Sequence, residues 1–269
     1  VPTTAATDFK VTPAQLKAAI TPRTKVLILN SPSNPCGTMY SEAELRALAD
    51  VVADAAKSVA PNMIILTDEM YEKLVYGGIP HFSIGSIPSV AERTITVNGL
   101  SKTFAMTGWR VGYTGTSGEF GLKFIKAMSD LQGQLTTNIT SFVYPAIRVA
   151  LTQCGPEVEE MRQAFARRAE LIYSLSKQIP GMPAPRPTGA FYLFPDVSSF
   201  FGKRTKKGTT INSGVDFAEA LLAEACVVVV PGDDFGGCGA NHIRFSFACS
   251  EDNIRKGLGR IAEFVDGMK

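Results

Sequence analysis

Histidine and charge are scarce in this chain: it has two histidines in 269 residues, and Asp, Glu, Lys and Arg together make up only 19%. Its 27 basic and 25 acidic side chains leave a net charge of +2 with no long Lys/Arg run, so it carries no electrostatic footprint for nucleic acid or for an anionic membrane. Five cysteines (Cys36, Cys154, Cys226, Cys238 and Cys249) contain no C-x-x-C pair, and His81 and His242 stand alone. No metal site is expected from such spacing; the cysteines read as free thiols and the histidines as structural. No apolar run approaches the ~18 residues of a membrane span, and the opening VPTTAATDFK lacks both the basic flank and the apolar stretch of a signal peptide. The expectation is a cytoplasmic protein whose partners are small molecules. With 45% hydrophobic residues the chain can bury a substantial core, in more than one domain.

What is present has a clear order. Thr12-Pro13 reads as the cap and first turn of a short helix reaching Ile20, followed by a strand at 25–29. After the loop SPSNPCG, Ser41-Glu42-Ala43-Glu44 forms a capping box that opens an amphipathic helix to about Ala56, and 63–67 is an apolar strand ending in Asp68. Strand, helix, strand implies a parallel sheet. Further strands are expected at 94–98 and 111–115, then helices at 120–132, 139–151 and 156–178, the last long and charged and suited to joining two lobes. Past Pro180, strands at 191–194, 227–230 and 243–247 and helices at about 215–224 and 250–265 describe a smaller α/β lobe. The Lys-rich stretch at 202–214 reads as a solvated loop tip. There is no internal repeat and no low-complexity tract.

The most informative segment is GLSKTFAMTGWRVG at 99–112, which pairs Lys102 with Arg110. Two such charges eight apart are ordinarily just solvated surface groups. A phosphate-binding loop does not fit NGLSKT, because Ser101 precedes the lysine and position 96 is Thr. A lysine that holds an aldehyde must give up its proton, and an arginine nearby can bind a phosphate without competing for the carbonyl. The stretch resembles the pyridoxal-phosphate attachment signature of class I aminotransferases. That signature has Gly or Ser three places before the lysine, a small residue directly before it, and an arginine eight places after it, followed by an aliphatic residue and Gly or Ala. Gly99, Ser101, Lys102, Arg110, Val111 and Gly112 fit each place.

Other motifs of the same family follow in its order. Asn34-Pro35-Cys36-Gly37 resembles its Asn-Pro-x-Gly turn, with a cis bond expected before Pro35; Asp68 and Tyr71 in DEMYEKLVY match its D-x-x-Y; Thr188-Gly189-Ala190-Phe191-Tyr192 resembles its Gly-x-Phe segment; Arg244 lies in HIRFSFA. Taken singly, these read as common turn residues, a helix-capping aspartate and a strand-edge arginine. A carboxylate such as Asp68 at the end of an apolar strand wants a charged partner.

The resemblance implies an α/β protein of pyridoxal-phosphate-dependent fold type I. Residues 1–165 would be the later part of a large cofactor-binding domain with a mainly parallel sheet flanked by helices, and residues 166–269 a small α/β domain. It implies that Lys102 carries the cofactor and moves the proton, and that Asp68 meets the ring nitrogen. Asn34 and Tyr71 would meet the phenolic oxygen, and Arg110, Ser101 and the Gly99 amide the phosphate. Arg244, with Asn34 and Phe191 beside it, would hold the substrate. The segment AMTGWR is most similar to the bacterial-type aspartate aminotransferase branch, which implies ping-pong exchange of an amino group between an aspartate-like L-amino acid and a 2-oxo acid, in a homodimer. A lyase or synthase of the same fold would use the same residues, and a non-catalytic fragment is the reading from another class. Two departures stand out. Many members have a phosphate-binding serine where this chain has Gly99, and the family's N-terminal phosphate-cradling loop and ring-stacking aromatic residue have no counterpart before Lys25, so part of the family's length is expected to be missing.

Overall fold

The apolar segments VLILN and IILTD extend as β1 (Val26–Asn30) and β2 (Ile64–Asp68), which pair in parallel in the computed structural model, where residues 1–269 are described. Between them runs α2 (Glu42–Ala56). Ser41 Oγ accepts from Glu44 N while the Glu44 carboxylate accepts from Ser41 N at 2.7 Å, the capping box expected from the sequence. Leu45, Leu48, Ala49 and Val52 recur at helical spacing and are buried with Leu29 and Ile65 of the strands and with Met63 just ahead of β2. A short α1 (Pro13–Ala19), capped in the same reciprocal way by Thr12 and Gln15, adds Leu16 to this core.

β3 (Thr94–Gly99) lies parallel to β2, and β4 (Gly112–Gly115) antiparallel to β3, so the sheet order is β1-β2-β3-β4. Only α3 (Leu100–Thr103) and a 3-10 turn at Thr107–Trp109 separate the last two strands, too little chain for a crossover, and β4 therefore runs back along β3. α4 (Gly118–Leu135) and α5 (Tyr144–Gln153) follow, and Leu100, Val111, Val143 and Ala150 form a second, smaller cluster. These elements form a compact unit made of Val11–Pro32 and Met39–Arg162; a second comprises Pro2–Lys10, Ser33–Thr38 and Gln163–Lys269. The boundary falls within α6 (Gly155–Ser176).

In the second unit β5 (Tyr192–Leu193), β6 (Val230–Pro231) and β7 (Ile243–Ser246) make an antiparallel sheet of order β5-β7-β6. α7 (Gly214–Ala220) runs into a π turn at Leu221–Ala225, and α8 (Glu251–Asp266), capped by Ser250, buries Ile254, Leu258, Ile261 and Phe264. Aromatic rings dominate the core: Phe194 stacks on His242 with centroids 4.8 Å apart, and Phe9 meets Phe194 edge-on at 5.4 Å.

One expectation is corrected here. The strand expected at 227–230 shrinks to Val230–Pro231, because Val227 N is drawn back onto Leu221 O to close the π turn. The 202–214 loop is mostly exposed, as expected, and is anchored: Arg204 and Lys269 exchange both main-chain hydrogen bonds, Thr205 and Thr209 donate to Glu224, and Ile211 is fully buried. No helix is long and apolar enough to cross a membrane.

Candidate active site

In an open parallel sheet, chemistry gathers at the carboxyl ends of the strands. In the first unit that edge carries Asp68 at the end of β2 and Gly99 at the end of the parallel neighbour β3, with Lys102 one turn into α3. The Asp68 main chain is tied on one side, its carbonyl accepting from Ser31 N at 3.1 Å and from Asn30 Nδ2 at 3.3 Å. Its Oδ1 accepts from Met70 N at 3.1 Å, so the carboxylate also closes the tight turn that leads to buried Tyr71. Gly99 is extended rather than left-handed, and its role is spatial. A Cβ there would meet Val111 O at 2.8 Å and Met70 Cε at 3.0 Å, which accounts for glycine in this chain where the resemblance leads one to expect serine.

Ser101, next to Lys102, and Arg110 are linked through Thr107. Its hydroxyl donates to Ser101 O at 2.8 Å, and its own carbonyl accepts from Arg110 Nη1 at 2.9 Å. Arg110 holds a left-handed backbone, φ 57, uncommon for a side chain of that size. The turn reverses the chain so that Leu100 N meets Val111 O and β4 can begin. Ser101 and Arg110 thus belong to one folded turn around the lysine.

The second unit contains Asn34, Phe191 and Arg244. The peptide bonds before Pro32 and Pro35 are cis, the second as expected. Gly37, at φ +70, accepts from Thr188 N and Gly189 N and lies so near β5 that a Cβ would sit 2.1 Å from Tyr192 O. This docks the Asn-Pro-Cys-Gly turn against the Gly-Ala-Phe-Tyr segment. Arg244, on β7, donates from Nη1 to Asn34 Oδ1 at 2.9 Å, across 210 positions of sequence. Its guanidinium lies over the Tyr192 ring at 4.7 Å and the Phe235 ring at 4.9 Å, while its buried Nε has no hydrogen-bond partner. A flat cation packed against two rings can pair with a planar anion such as a carboxylate. Phe191 stacks on Phe165 at 5.4 Å. Tyr192 closes the Gly-Ala-Phe-Tyr segment already singled out, although no contact with Arg244 could be read from it. Phe235 carries no motif, and the glycine-rich turn around it is not a specific signal.

Sequence reasoning also missed Glu69. It is buried, with its carboxyl pushed up to about 7 by desolvation, and its Oε2 lies 3.6 Å from His81 Nε2. Burial holds the His81 imidazole below its ordinary value. The Cys36 thiol, inside the Asn34–Gly37 turn, is pushed up to about 12 by burial and is inert as a nucleophile. All five cysteines are free.

The family described as Aminotransferase class I and II matches residues 1–261. The aspartate aminotransferase of Geobacillus stearothermophilus is 43% identical over 262 residues, covering 96% of this chain and 62% of the relative. The aspartate/prephenate aminotransferase of Cereibacter sphaeroides is 41% identical, covering 97% and 63%. The crystal structure of the aspartate aminotransferase from Rhizobium meliloti superposes with a TM-score of 0.91 at 39% identity, covering 98% of this chain and 64% of that one. The chain thus spans somewhat under two thirds of the length of the relatives it matches. On the match along nearly its whole length and the shared fold, the chain belongs to the class I and II aminotransferases.

Proposed function

We propose that this protein is a pyridoxal-phosphate-dependent transaminase that moves an amino group between an L-amino acid, aspartate-like in preference, and a 2-oxo acid. The observation that carries the reading is the placement of Asp68 and Lys102 at the carboxyl ends of two adjacent parallel strands, with Arg110 folded back onto the lysine's turn. The donor set fits the cofactor: a carboxylate for a basic ring nitrogen, a lysine for an aldehyde, a guanidinium for a phosphate. When bound, pyridoxal 5'-phosphate supplies an electron sink for the pair left on the substrate's α carbon.

The chain's own residues do the rest. Asp68 keeps a proton on the ring nitrogen, and Arg110, with the Ser101 hydroxyl and the Gly99 amide, grips the phosphate. Tyr71 donates to the phenolic oxygen. Asn34 turns its Oδ1 to Arg244, so what it offers that oxygen is its NH2 end. Arg244 clamps the substrate's α-carboxylate, bordered by Phe191 and its neighbours. Lys102 would hold the cofactor's aldehyde and, when its Nζ is free, would take the substrate's α proton as general base. Water would supply the oxygen of the departing oxo acid, and a second oxo acid would use the same groups in reverse.

Borohydride reduction of the cofactor-loaded protein followed by peptide mapping tests this. A phosphopyridoxyl group on Lys102, with keto-acid formation that requires an oxo-acid acceptor, is the expected result. An adduct on another lysine, or ammonia release without an acceptor, overturns it.

A further inference from the structure

The buried polar groups that these roles leave unused gather behind Asp68. Glu69 N donates to Val97 O at 2.9 Å, continuing the β2–β3 pairing, and strand alternation sends its side chain to the face opposite Asp68. There Oε1 accepts from Ser83 Oγ at 2.7 Å and from Thr67 Oγ1 at 3.1 Å, which leaves Oε2 facing His81 Nε2 at 3.6 Å. The other nitrogen of the imidazole donates to the Ser31 backbone, and Nε2 has no hydrogen-bond partner.

A ring that donates through one nitrogen presents a lone pair at the other. A carboxylate oxygen and an imidazole lone pair facing each other out of water repel unless a proton lies between them. The contacts also close on themselves: the Glu69 carboxyl meets His81, His81 holds the Ser31 carbonyl, and Ser31 N donates to Asp68 O, whose next residue is Glu69. Asp68 and Glu72 bear on the Glu69 carboxyl, Glu72 and Lys73 on the His81 ring, and Tyr113 feels the two glutamates.

We infer that the Glu69 carboxyl is held un-ionised with its Oε2 turned toward His81 Nε2, and that the two side chains are a positioning clamp for Asp68. The clamping role rests on the assignment of Asp68 to the cofactor's ring nitrogen; the un-ionised carboxyl does not. A neutral pair also keeps a second negative charge from standing one residue away from Asp68, with which an ionised Glu69 is in repulsion.

Infrared difference spectroscopy tests the proton without cofactor. At pH ~6, below the value of about 7 to which burial pushes this carboxyl, the parent protein should show the carbonyl stretch of an un-ionised acid. Glu69→Gln should remove that band and Glu72→Gln leave it. A band untouched by Glu69→Gln, or no such band in the parent, overturns the un-ionised carboxyl.

Titration with pyridoxal phosphate tests the clamp. The side-chain amide introduced by Glu69→Gln donates to Nε2 as the protonated acid would, so this variant should keep the dissociation constant within about twofold of the parent. Glu69→Ala and His81→Ala should weaken it about 10- to 100-fold, the range for groups one step behind a ligand-holding residue. A Glu69→Gln variant as weak as Glu69→Ala overturns the clamp. If the parent itself takes up no pyridoxal phosphate, the Asp68 assignment fails and the clamp with it, while the infrared result still decides the proton.

Discussion

At the scale of single residues, Arg244 and Glu69 show how burial turns an ordinary side chain into a specific one. Arg244 is fixed in plane by Tyr192 and Phe235 and in direction by Asn34. A lysine keeps the charge but loses the flat fork. Arg244→Lys should raise KM for the amino acid about 10- to 100-fold, the equivalent of one charge-assisted hydrogen bond, with little change in pyridoxal-phosphate binding; steady-state kinetics beside a cofactor titration would show it. Glu69 leads to a prediction about pH. Its carboxyl titrates at about 7 when folded, against 4.5 in the ordinary state, so the folded chain keeps a proton that the unfolded chain has released. Stability from this group is therefore present below 4.5 and is lost as pH rises to about 7. His81 acts in the opposite direction, its depressed value costing stability on acidification below 6.5. In urea unfolding at a series of pH values, Glu69→Gln should gain on the parent by up to about 3 kcal/mol across the Glu69 window and no further above it; a gap independent of pH would count against a raised Glu69.

At the scale of elements, local signals and long-range ones part company. The two capping boxes could be read from four residues each, because the groups that satisfy one another lie within one turn. The end of α7 could not. Helical spacing continues to Glu224, yet the chain leaves the α-helix at Leu221 for a π turn closed by left-handed Cys226. Gly37 is the element-scale position with least tolerance, since its left-handed φ and its 2.1 Å Cβ approach to Tyr192 O both exclude a side chain. Gly37→Ala should destabilise the second unit by about 2 kcal/mol or more, from left-handed backbone strain of about 1 kcal/mol and a main-chain clash that forces the turn off β5. Because Asn34 sits in that turn, its hydrogen bond to Arg244 should loosen, visible as a rise in KM. Thermal unfolding close to that of the parent would show that the turn can shift freely.

At the scale of the whole molecule, the first unit presents an apolar surface that its own elements leave uncovered. Leu135 at the end of α4 is 71% exposed and Phe142 ahead of α5 is 80% exposed, with Leu122 and Leu131 also open to solvent. Large apolar side chains this exposed offer binding surface to apolar probes. The 269-residue chain should therefore bind an apolar dye such as anilinonaphthalene sulfonate, and Leu135→Glu with Phe142→Glu should reduce the signal by about half or more, because the two substitutions replace highly exposed apolar side chains with charge. Dye fluorescence unchanged by the pair of substitutions would mean that the binding surface lies elsewhere.

The sequence by itself determined the order of elements, the caps, the lysine-arginine segment and the family, because each depends on residues within about a dozen positions of one another or on hydrophobic periodicity. Only the tertiary structure decided which distant residues meet: Asn34 with Arg244, Tyr192 and Phe235 with the same arginine, Glu69 with His81 and His81 with Ser31. Those pairings have no period and no spacing. They follow from where parallel strands end and from which face alternation gives each side chain, and the shifted protonation of Glu69 follows in turn from how completely water is excluded there.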